Sequence, residues 1–434
     1  MDGRNMKFAF YTLGCKVNQY ETQAMEQLLL AAGHTLGRFD EICDGYIINT
    51  CTVTAVSDKK SRNAIRRVRK LSPNAVIGVC GCYAQTAPEE IRRLDVDVLA
   101  GTADRAAFIR QMQQAVQQKS RWEHVEDAGL PREFEQLPAG GLAVRTRALL
   151  KVEDGCNNFC TYCIIPYARG RVRSLPLADA VMQARQLADE GYREIVINGI
   201  EISSWGAEWK DGSTLWQLLA AICAAVPQVR IRLGSLEPRT ITQEFCRMLG
   251  GFENLCPQFH LSLQSGSDTV LRRMHRKYDT ARYAQSVQLL HEYFPGCAVT
   301  TDLIVGFPGE TEEEFQQSLE FIARCGLAML HIFPYSRRTG TPAAKMPEQL
   351  PNAVKEARAA AAAQVAVQLE EAYHETLRGS TQQVLFEQVE DGLWAGHAPN
   401  YIKVYAESAE DLHNRVLPVQ ITQLCRDGVL GVLA

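Results

Sequence analysis

No run of eighteen apolar residues occurs in this 434-residue chain, so no segment is expected to cross a membrane as a helix. Charge of one sign is not in excess: 46 Lys and Arg face 50 Asp and Glu, for a formal net charge of −4. That balance excludes a protein basic throughout and confines any nucleic-acid contact to a local patch. There is no internal repeat, and no low-complexity tract beyond the alanines Ala359 to Ala363, so repeat architectures are excluded. The first residues are expected to form a strand and not a secretory leader. The start superficially suggests a lipoprotein signal ending in Leu13-Gly14-Cys15, but it is too short and has no basic leader. What remains, with 46% hydrophobic residues, is ordinary globular protein of roughly two to four domains.

Cysteine is not scarce. Fourteen are scattered along the chain, and three form the run Cys156-Asn-Asn-Phe-Cys160-Thr-Tyr-Cys163. Thiolates at this spacing hold three irons of a [4Fe-4S] cube and leave the fourth without a protein ligand. An open iron can bind the amino and carboxylate groups of S-adenosylmethionine and pass an electron into its sulfonium. The bland alternatives are a zinc site, which wants a second Cys/His pair that is not nearby, or three buried thiols. Metal thiolates in a reducing cytoplasm suit this usage best.

Short apolar runs alternate with helical patterns from residue 7 to about 118. Lys7 to Leu13, Tyr46 to Asn49, Ala75 to Cys80 and Asp97 to Ala100 read as strands, with an amphipathic helix from about Tyr20 to Ala32. This is a small α/β domain, 6–118, with a parallel sheet. Periodicity fails over 119–144, where Pro131, Pro138 and Gly140-Gly141 mark a linker. Six strand-like runs follow, each with a helix-like stretch: Leu149 to Val152, Glu194 to Asn198, Arg230 to Leu233, Phe259 to Leu263, Val299 to Val305 and Met329 to Phe333. They read as a partial (β/α)6 barrel over 145–375, and sites in such sheets lie at the carboxyl ends of the strands. A helix is expected over Asn352 to Leu377, stopping before Gly379. The remainder, 376–434, reads as a small antiparallel β-barrel.

Three further cysteines, Cys15, Cys51 and Cys82, each sit just past an expected strand, 36 and 31 residues apart. In a parallel sheet such positions share one edge, so the thiols can converge into a second three-ligand cluster. The alternative is that they are ordinary small buried residues. Cys80 competes with Cys82, which is preferred because it lies beyond the strand. Cys43, Cys223, Cys246, Cys256, Cys297, Cys325 and Cys425 share no spacing and read as structural.

Taken together, the Cys156 motif with Tyr162 and the three thiol motifs resemble the radical SAM methylthiotransferases over nearly the whole chain. Thr12-Leu-Gly-Cys-Lys-Val-Asn-Gln-Tyr-Glu21 and Pro166-Tyr-Ala-Arg-Gly-Arg-Val-Arg-Ser174 look most like the MtaB-type branch. The resemblance implies an N-terminal Rossmann-like cluster domain, a radical SAM partial TIM barrel and a C-terminal TRAM domain. It implies a transferase in the cytoplasm that converts N6-threonylcarbamoyladenosine-37 of tRNA into its 2-methylthio derivative. The cofactors would be two [4Fe-4S] clusters, on Cys15, Cys51 and Cys82 and on Cys156, Cys160 and Cys163, with two molecules of S-adenosylmethionine per turnover. A flavodoxin or ferredoxin would supply the low-potential electron, and one SAM would yield a 5′-deoxyadenosyl radical. Tyr162, Gly199 and Glu201 of the Asn198-Gly-Ile-Glu loop, Ser235, Glu237, Gln264 and Asp302 would face the cofactor. Asn198-Gly-Ile-Glu201 departs from the family's Gly-Gly-Glu pattern at that loop. The rivals are the same chemistry on isopentenyladenosine or on a ribosomal protein, and a two-cluster electron carrier.

Phosphate contact is expected from Lys59, Lys60, Arg62, Arg66, Arg67, Arg69 and Lys70, seven bases within twelve residues on a helix shortly after Cys51. Arg169, Arg171 and Arg173, and Arg272, Arg273, Arg276 and Lys277, are further candidates; a solvated face is the alternative. Residues 376–434 carry four Lys/Arg against seven Asp/Glu, leaving Lys403 and Arg415 as the residues there to meet RNA.

Overall fold

Alternating β-rich and amphipathic segments fold as a parallel sheet, then a half-open barrel, then a small closed barrel. The computed structural model describes residues 5–141 and 146–434; residues 142–145, where the expected linker ends and the barrel region begins, lie outside the described residues. The first sheet contains β1 (Lys7–Thr12), β2 (Thr35–Gly37), β3 (Gly45–Thr50), β4 (Val76–Gly81), β5 (Val98–Ala100) and β6 (Trp122–His124). All its pairings are parallel and the order is β2-β1-β3-β4-β5-β6. β3 and β4 are buried along their whole length, as their unbroken apolar runs require. Helices α1 (Lys16–Ala31), α2 (Ala55–Leu71), α3 (Cys82–Thr86), α4 (Pro88–Arg92) and α5 (Arg105–Gln118) cover the faces.

β2 and β6 are two strands that sequence periodicity does not reveal, because each has three residues and little burial. β6 also corrects the linker expectation: Trp122–His124 extend the sheet by pairing with β5. Further on, Leu137 and Ala139 are buried, and the Tyr20 hydroxyl donates to Leu137 O at 2.8 Å. The segment therefore lies as packed strap between sheet and barrel.

The second unit is built from two three-stranded parallel sheets. One has the order β11-β10-β7, from β7 (Ala148–Lys151), β10 (Glu194–Asn198) and β11 (Arg230–Leu233); the other is β12 (Gln258–His260), β13 (Ala298–Val305) and β14 (Met329–Pro334). Single bridges at Ile231–Leu255 and Leu236–Leu261 join them, while β7 and β14 do not pair. The result is six βα strands in an incomplete barrel. A two-stranded ribbon, β8 (Glu153–Asp154) with β9 (Arg173–Ser174), frames the loop of the cysteine motif, and the short helix α6 (Ile165–Arg169) follows that motif.

A 24-residue helix, Asn352–Glu375, packs on the barrel and leads into β15 (Thr381–Glu390), β16 (Leu393–His397), β17 (Lys403–Ala406), β18 (Val416–Cys425) and β19 (Gly428–Leu433). These close in the order β15-β16-β17-β19-β18. The expectation of an antiparallel barrel holds for four of its pairings, but β17 and β19 run parallel because β18 crosses over between them. No helix among the described residues is long and apolar enough to cross a membrane.

Candidate functional site

In an open parallel sheet the ligand crevice forms at the carboxyl edge where the strand order reverses, here between β1 and β3. Cys15 follows β1, Cys51 follows β3 and Cys82 follows β4, so the three thiols straddle that point. The thiol of Cys82 lies within electrostatic reach of both Cys15 and Cys51. Cys80, inside β4, has Arg105 and Glu21 as its charged neighbours instead. Glycine makes the approach possible. Gly14 has φ +104°, and a Cβ there would meet Cys51 Cβ at 2.7 Å; Gly81, at φ +98°, would strike Thr50 O at 2.5 Å. Asn18 ties the loops together, donating to Leu13 O at 2.7 Å and Thr50 O at 2.9 Å.

The second trio lies at the carboxyl edge of β7. Cys156, Cys160 and Cys163 are mutual electrostatic neighbours, and Phe159, at φ +48°, turns the loop between the first two. Arg276 donates from Nη1 to Cys160 Sγ at 3.3 Å, and Val53 N to Cys51 Sγ at 3.5 Å. Burial pushes the thiols of Cys82 and Cys163 up to about 12 and raises those of Cys51 and Cys156. Bound iron reverses that preference, since it takes the thiolate. Among the described residues no three His, Cys, Asp or Glu side chains close on a point as ligands of one metal ion do. A cube instead distributes its ligands over separate corners, and donors aimed at sulfur suit its thiolates. The two trios therefore fit three-ligand clusters.

Other residues expected around the second trio are only partly gathered. A cavity of about 260 Å³ is lined by Tyr162, Cys163, Gln264 and Asp302, with Ile304, Tyr335 and, from the first domain, Val53 and Thr54. Gln264 holds φ +70°, and Asp302 contacts His260 Nε2 at 3.2 Å. Glu201 accepts from Asn158 Nδ2 at 3.1 Å and lies within electrostatic reach of Cys156. Glu237 is bound to Arg239 at 2.9 Å and electrostatically close to Glu201. Ser235 is exposed. Gly199 differs from expectation: a Cβ there would meet Glu153 Oε2 at 2.7 Å, so the close approach is to the chain's own carboxyl. Asn198 Oδ1 and Nδ2, Glu153 Oε1 and the Tyr335 hydroxyl are buried without partners, the condition of groups fitted to a polar ligand.

Sequence reasoning missed the ionic hub between the trios. Arg169, fully buried, bonds Glu21, Asp154 and Asn18 Oδ1, the last at 2.6 Å, and donates toward Cys82. Arg105 reaches Glu21 at 3.0 Å, Lys151 reaches Asp154 at 3.3 Å, and Arg173 reaches Asp154 at 2.8 Å. The expectation that Arg169 and Arg173 meet RNA is thereby corrected: both are consumed in the hub. Arg276 sits on Cys160, and Arg273 pairs with Glu314 at 2.6 Å. On α2, Arg62 and Arg69 pair with Glu90 and Asp97, whereas Lys59, Lys60, Arg66, Arg67 and Lys70 are exposed. All four bases of 376–434 are ion-paired: Arg378 with Glu375, Lys403 with Glu390, Arg415 with Glu410 and Arg426 with Asp391.

Comparison with known proteins agrees with this geometry. Residues 150–322 match the model of the Radical SAM superfamily, and residues 7–101 that of the Uncharacterized protein family UPF0004. The chain is 42% identical over 420 residues to a threonylcarbamoyladenosine tRNA methylthiotransferase MtaB of Bacillus subtilis (strain 168), covering 95% of this chain and 93% of that one. It is 35% identical over 387 residues to a tRNA-2-methylthio-N(6)-dimethylallyladenosine synthase of Moorella thermoacetica, covering 88% of this chain and 87% of that one. The solved structure of the radical S-adenosylmethionine methyltransferase TsrM of Kitasatospora setae shares the fold at TM-score 0.55 and 14% identity, over 90% of this chain and 81% of that one. With two clustered thiol trios on a shared fold and this breadth of identity, the chain belongs to the radical SAM methylthiotransferases, in the threonylcarbamoyladenosine tRNA methylthiotransferase branch.

Proposed function

We propose that the protein adds a methylthio group to C2 of N6-threonylcarbamoyladenosine-37 in tRNA, giving 2-methylthio-N6-threonylcarbamoyladenosine. The observation that carries the reading is that each three-thiol loop lies at the carboxyl edge of a parallel sheet, and that Arg169, on the helix after the second trio, bonds Asn18 and donates toward Cys82 of the first. When bound, a four-iron cluster with one open iron supplies the low-potential electron that cleaves S-adenosylmethionine, and a second supplies a seat for the sulfur to be transferred.

In this reading Cys156, Cys160 and Cys163 hold the first cluster, and Cys15, Cys51 and Cys82 the second. Tyr162, Gln264 and Asp302 line the seat of S-adenosylmethionine, with Asn198, Glu201 and Glu237 at its rim and Ser235 exposed beside them, while Gly199 gives room to the Glu153 carboxyl. The protein's own work is positioning. Asn18 and Arg169 fix the two loops against each other, and Arg338, paired with Asp58 at 2.7 Å, holds the start of α2 to the loop after β14. The electron comes from a flavodoxin- or ferredoxin-type donor, and fourteen unpaired thiols suit a reducing compartment such as the cytoplasm. The exposed cations of α2 receive tRNA phosphates. The C-terminal barrel serves as the TRAM module; with its cations paired, it meets RNA through shape and backbone.

The test is anaerobic turnover of the reconstituted, reduced protein with S-adenosylmethionine and a threonylcarbamoyladenosine anticodon stem-loop. Methylthiolated nucleoside together with 5′-deoxyadenosine is expected. Methylthiolation of isopentenyladenosine alone, or absence of any 5′-deoxyadenosine, would overturn the assignment in favour of a sister enzyme or an electron carrier.

A further inference from the structure

The amino ends of β7, β10 and β11 carry an unusual density of charge. Glu194 binds Arg232 through both oxygens, at 2.6 and 3.0 Å, and Arg147 pairs with Glu387 of the C-terminal barrel at 3.3 Å. Between the two guanidiniums stands the ring of Tyr401, 4.7 Å from Arg232 and 5.1 Å from Arg147, with His397 stacked on it at 4.7 Å. Tyr401 holds φ +69°, a conformation costly for an aromatic residue and kept only where its surroundings impose it. Tyr401 thus reaches from the loop between β16 and β17 to the guanidiniums of Arg147 and Arg232.

Lys16 is the remaining charge. It is the first residue of α1, adjoins Cys15, and lies within electrostatic reach of Tyr401, Arg147, Arg232 and Glu194 below and of His331 on β14. The residue is exposed to solvent although these groups stand around its ammonium. Among the described residues it has no hydrogen bond or ion pair. Arg232 and Arg147 are paired with Glu194 and Glu387, and Arg230 is held by the carbonyl oxygens of His397 and Gln383, which leaves the ammonium of Lys16 as the cation of this group without a partner among the described residues. The start of a sixteen-residue helix adds the partial positive charge of its free amide groups at the same place.

An ammonium without a partner among the described residues, beside a cluster-bearing cysteine, calls for an anion on the substrate. Threonylcarbamoyladenosine has one: the threonyl carboxylate, on the N6 arm of the base, while an alkylated adenosine has none. We infer that Lys16, backed by Arg147 and Tyr401, receives the threonyl carboxylate and selects threonylcarbamoyladenosine over apolar N6 substituents. This deepens the function proposed above and rests on it. An ammonium desolvated against a carboxylate discriminates strongly against a ligand that lacks the charge.

The test measures binding of anticodon stem-loops to the cluster-loaded protein by fluorescence anisotropy, with three ligands: threonylcarbamoyladenosine, its methyl ester and unmodified adenosine. The native protein is expected to prefer the acid over the ester by about tenfold. In Lys16→Met that preference falls to about one, with affinity for the ester and the unmodified loop unchanged and iron content intact; Lys16→Arg keeps most of it. Turnover by Lys16→Met would show a raised KM for the acid with kcat less affected. The inference is overturned if Lys16→Met still prefers the acid tenfold. Equal weakening of all three ligands also overturns it, since Lys16 would then serve an RNA phosphate. Failure of the native protein to methylthiolate the acid strikes the proposed function itself, and is read separately from the binding ratios.

Discussion

Arg276 shows how one side chain acts at this site. Arg276 is half-buried, and its guanidinium stacks over Tyr278 at 4.8 Å and donates to Cys160 Sγ. A hydrogen bond and a positive charge at a cluster sulfur favour the more negative, reduced state. Arg276→Met is expected to lower the reduction potential of the cluster on Cys156, Cys160 and Cys163 by something on the order of 60 mV, the one-electron equivalent of a charged hydrogen bond. Potentiometric titration followed by electron paramagnetic resonance measures it; an unchanged potential would mean the contact is not made to a ligated sulfur. Legibility at this scale followed chain distance. The trio 156, 160 and 163 can be read because eight residues contain it, and Cys82 could be preferred to Cys80 because one residue beyond a strand reverses a side chain's surroundings. Arg276 lies 116 residues from Cys160 and reads in sequence as one more surface base.

Helix α2 is the element on which RNA binding depends in this account. Its N-cap Thr54 accepts from Ser57 N, and Ser61, Ala64, Ile65 and Val68 bury one face, which leaves Lys59, Lys60, Arg66, Arg67 and Lys70 on the other. Lys59→Glu with Lys60→Glu is expected to weaken tRNA binding about tenfold at moderate salt and to reduce the salt-dependence slope by about two. Filter binding across a salt series checks this, and an unaltered slope would make the face merely solvated. Long strands with continuous apolar runs, such as β4 and β10, were legible in the sequence. Three-residue strands were not: β2 and β6 exist because a neighbouring edge offers hydrogen bonds, a tertiary cause that leaves no local period. The parallel β17–β19 pairing was hidden for the same reason, since strand direction is set by the crossover.

At the scale of the whole molecule, the sheet domain and the barrel are joined through buried charge. Burial pushes the Glu21 carboxyl up, but Arg105, Arg169 and Lys151 outweigh it and hold the group down to about 2, against an ordinary 4.5. Asp154 is likewise held below its usual range: burial raises it, and Arg173, Arg169 and Lys151 more than reverse that. Carboxyls depressed in the folded state give stability that is fully present above about pH 4.5 and is lost as pH falls toward their folded values. Denaturant midpoints of the metal-free protein are therefore expected to drop steeply below pH 4.5. Glu21→Gln, which strands Arg105 and Arg169, should cost about 3 to 5 kcal/mol at neutral pH and flatten that acid limb. A steep limb surviving in Glu21→Gln would place the acid sensitivity elsewhere. Nothing in the sequence announces this hub, whose bonded members lie up to 151 residues apart.

The claim on which all three scales depend is that each thiol trio holds its own iron cube. Anaerobic iron and acid-labile sulfide analysis with Mössbauer spectroscopy tests it on the native protein and on the two triple Cys→Ala variants. The account predicts about eight irons in the native chain and about four in each variant, with cleavage of S-adenosylmethionine retained when Cys15, Cys51 and Cys82 are replaced. About four irons in the native chain, unchanged by replacing Cys15, Cys51 and Cys82, would contradict it.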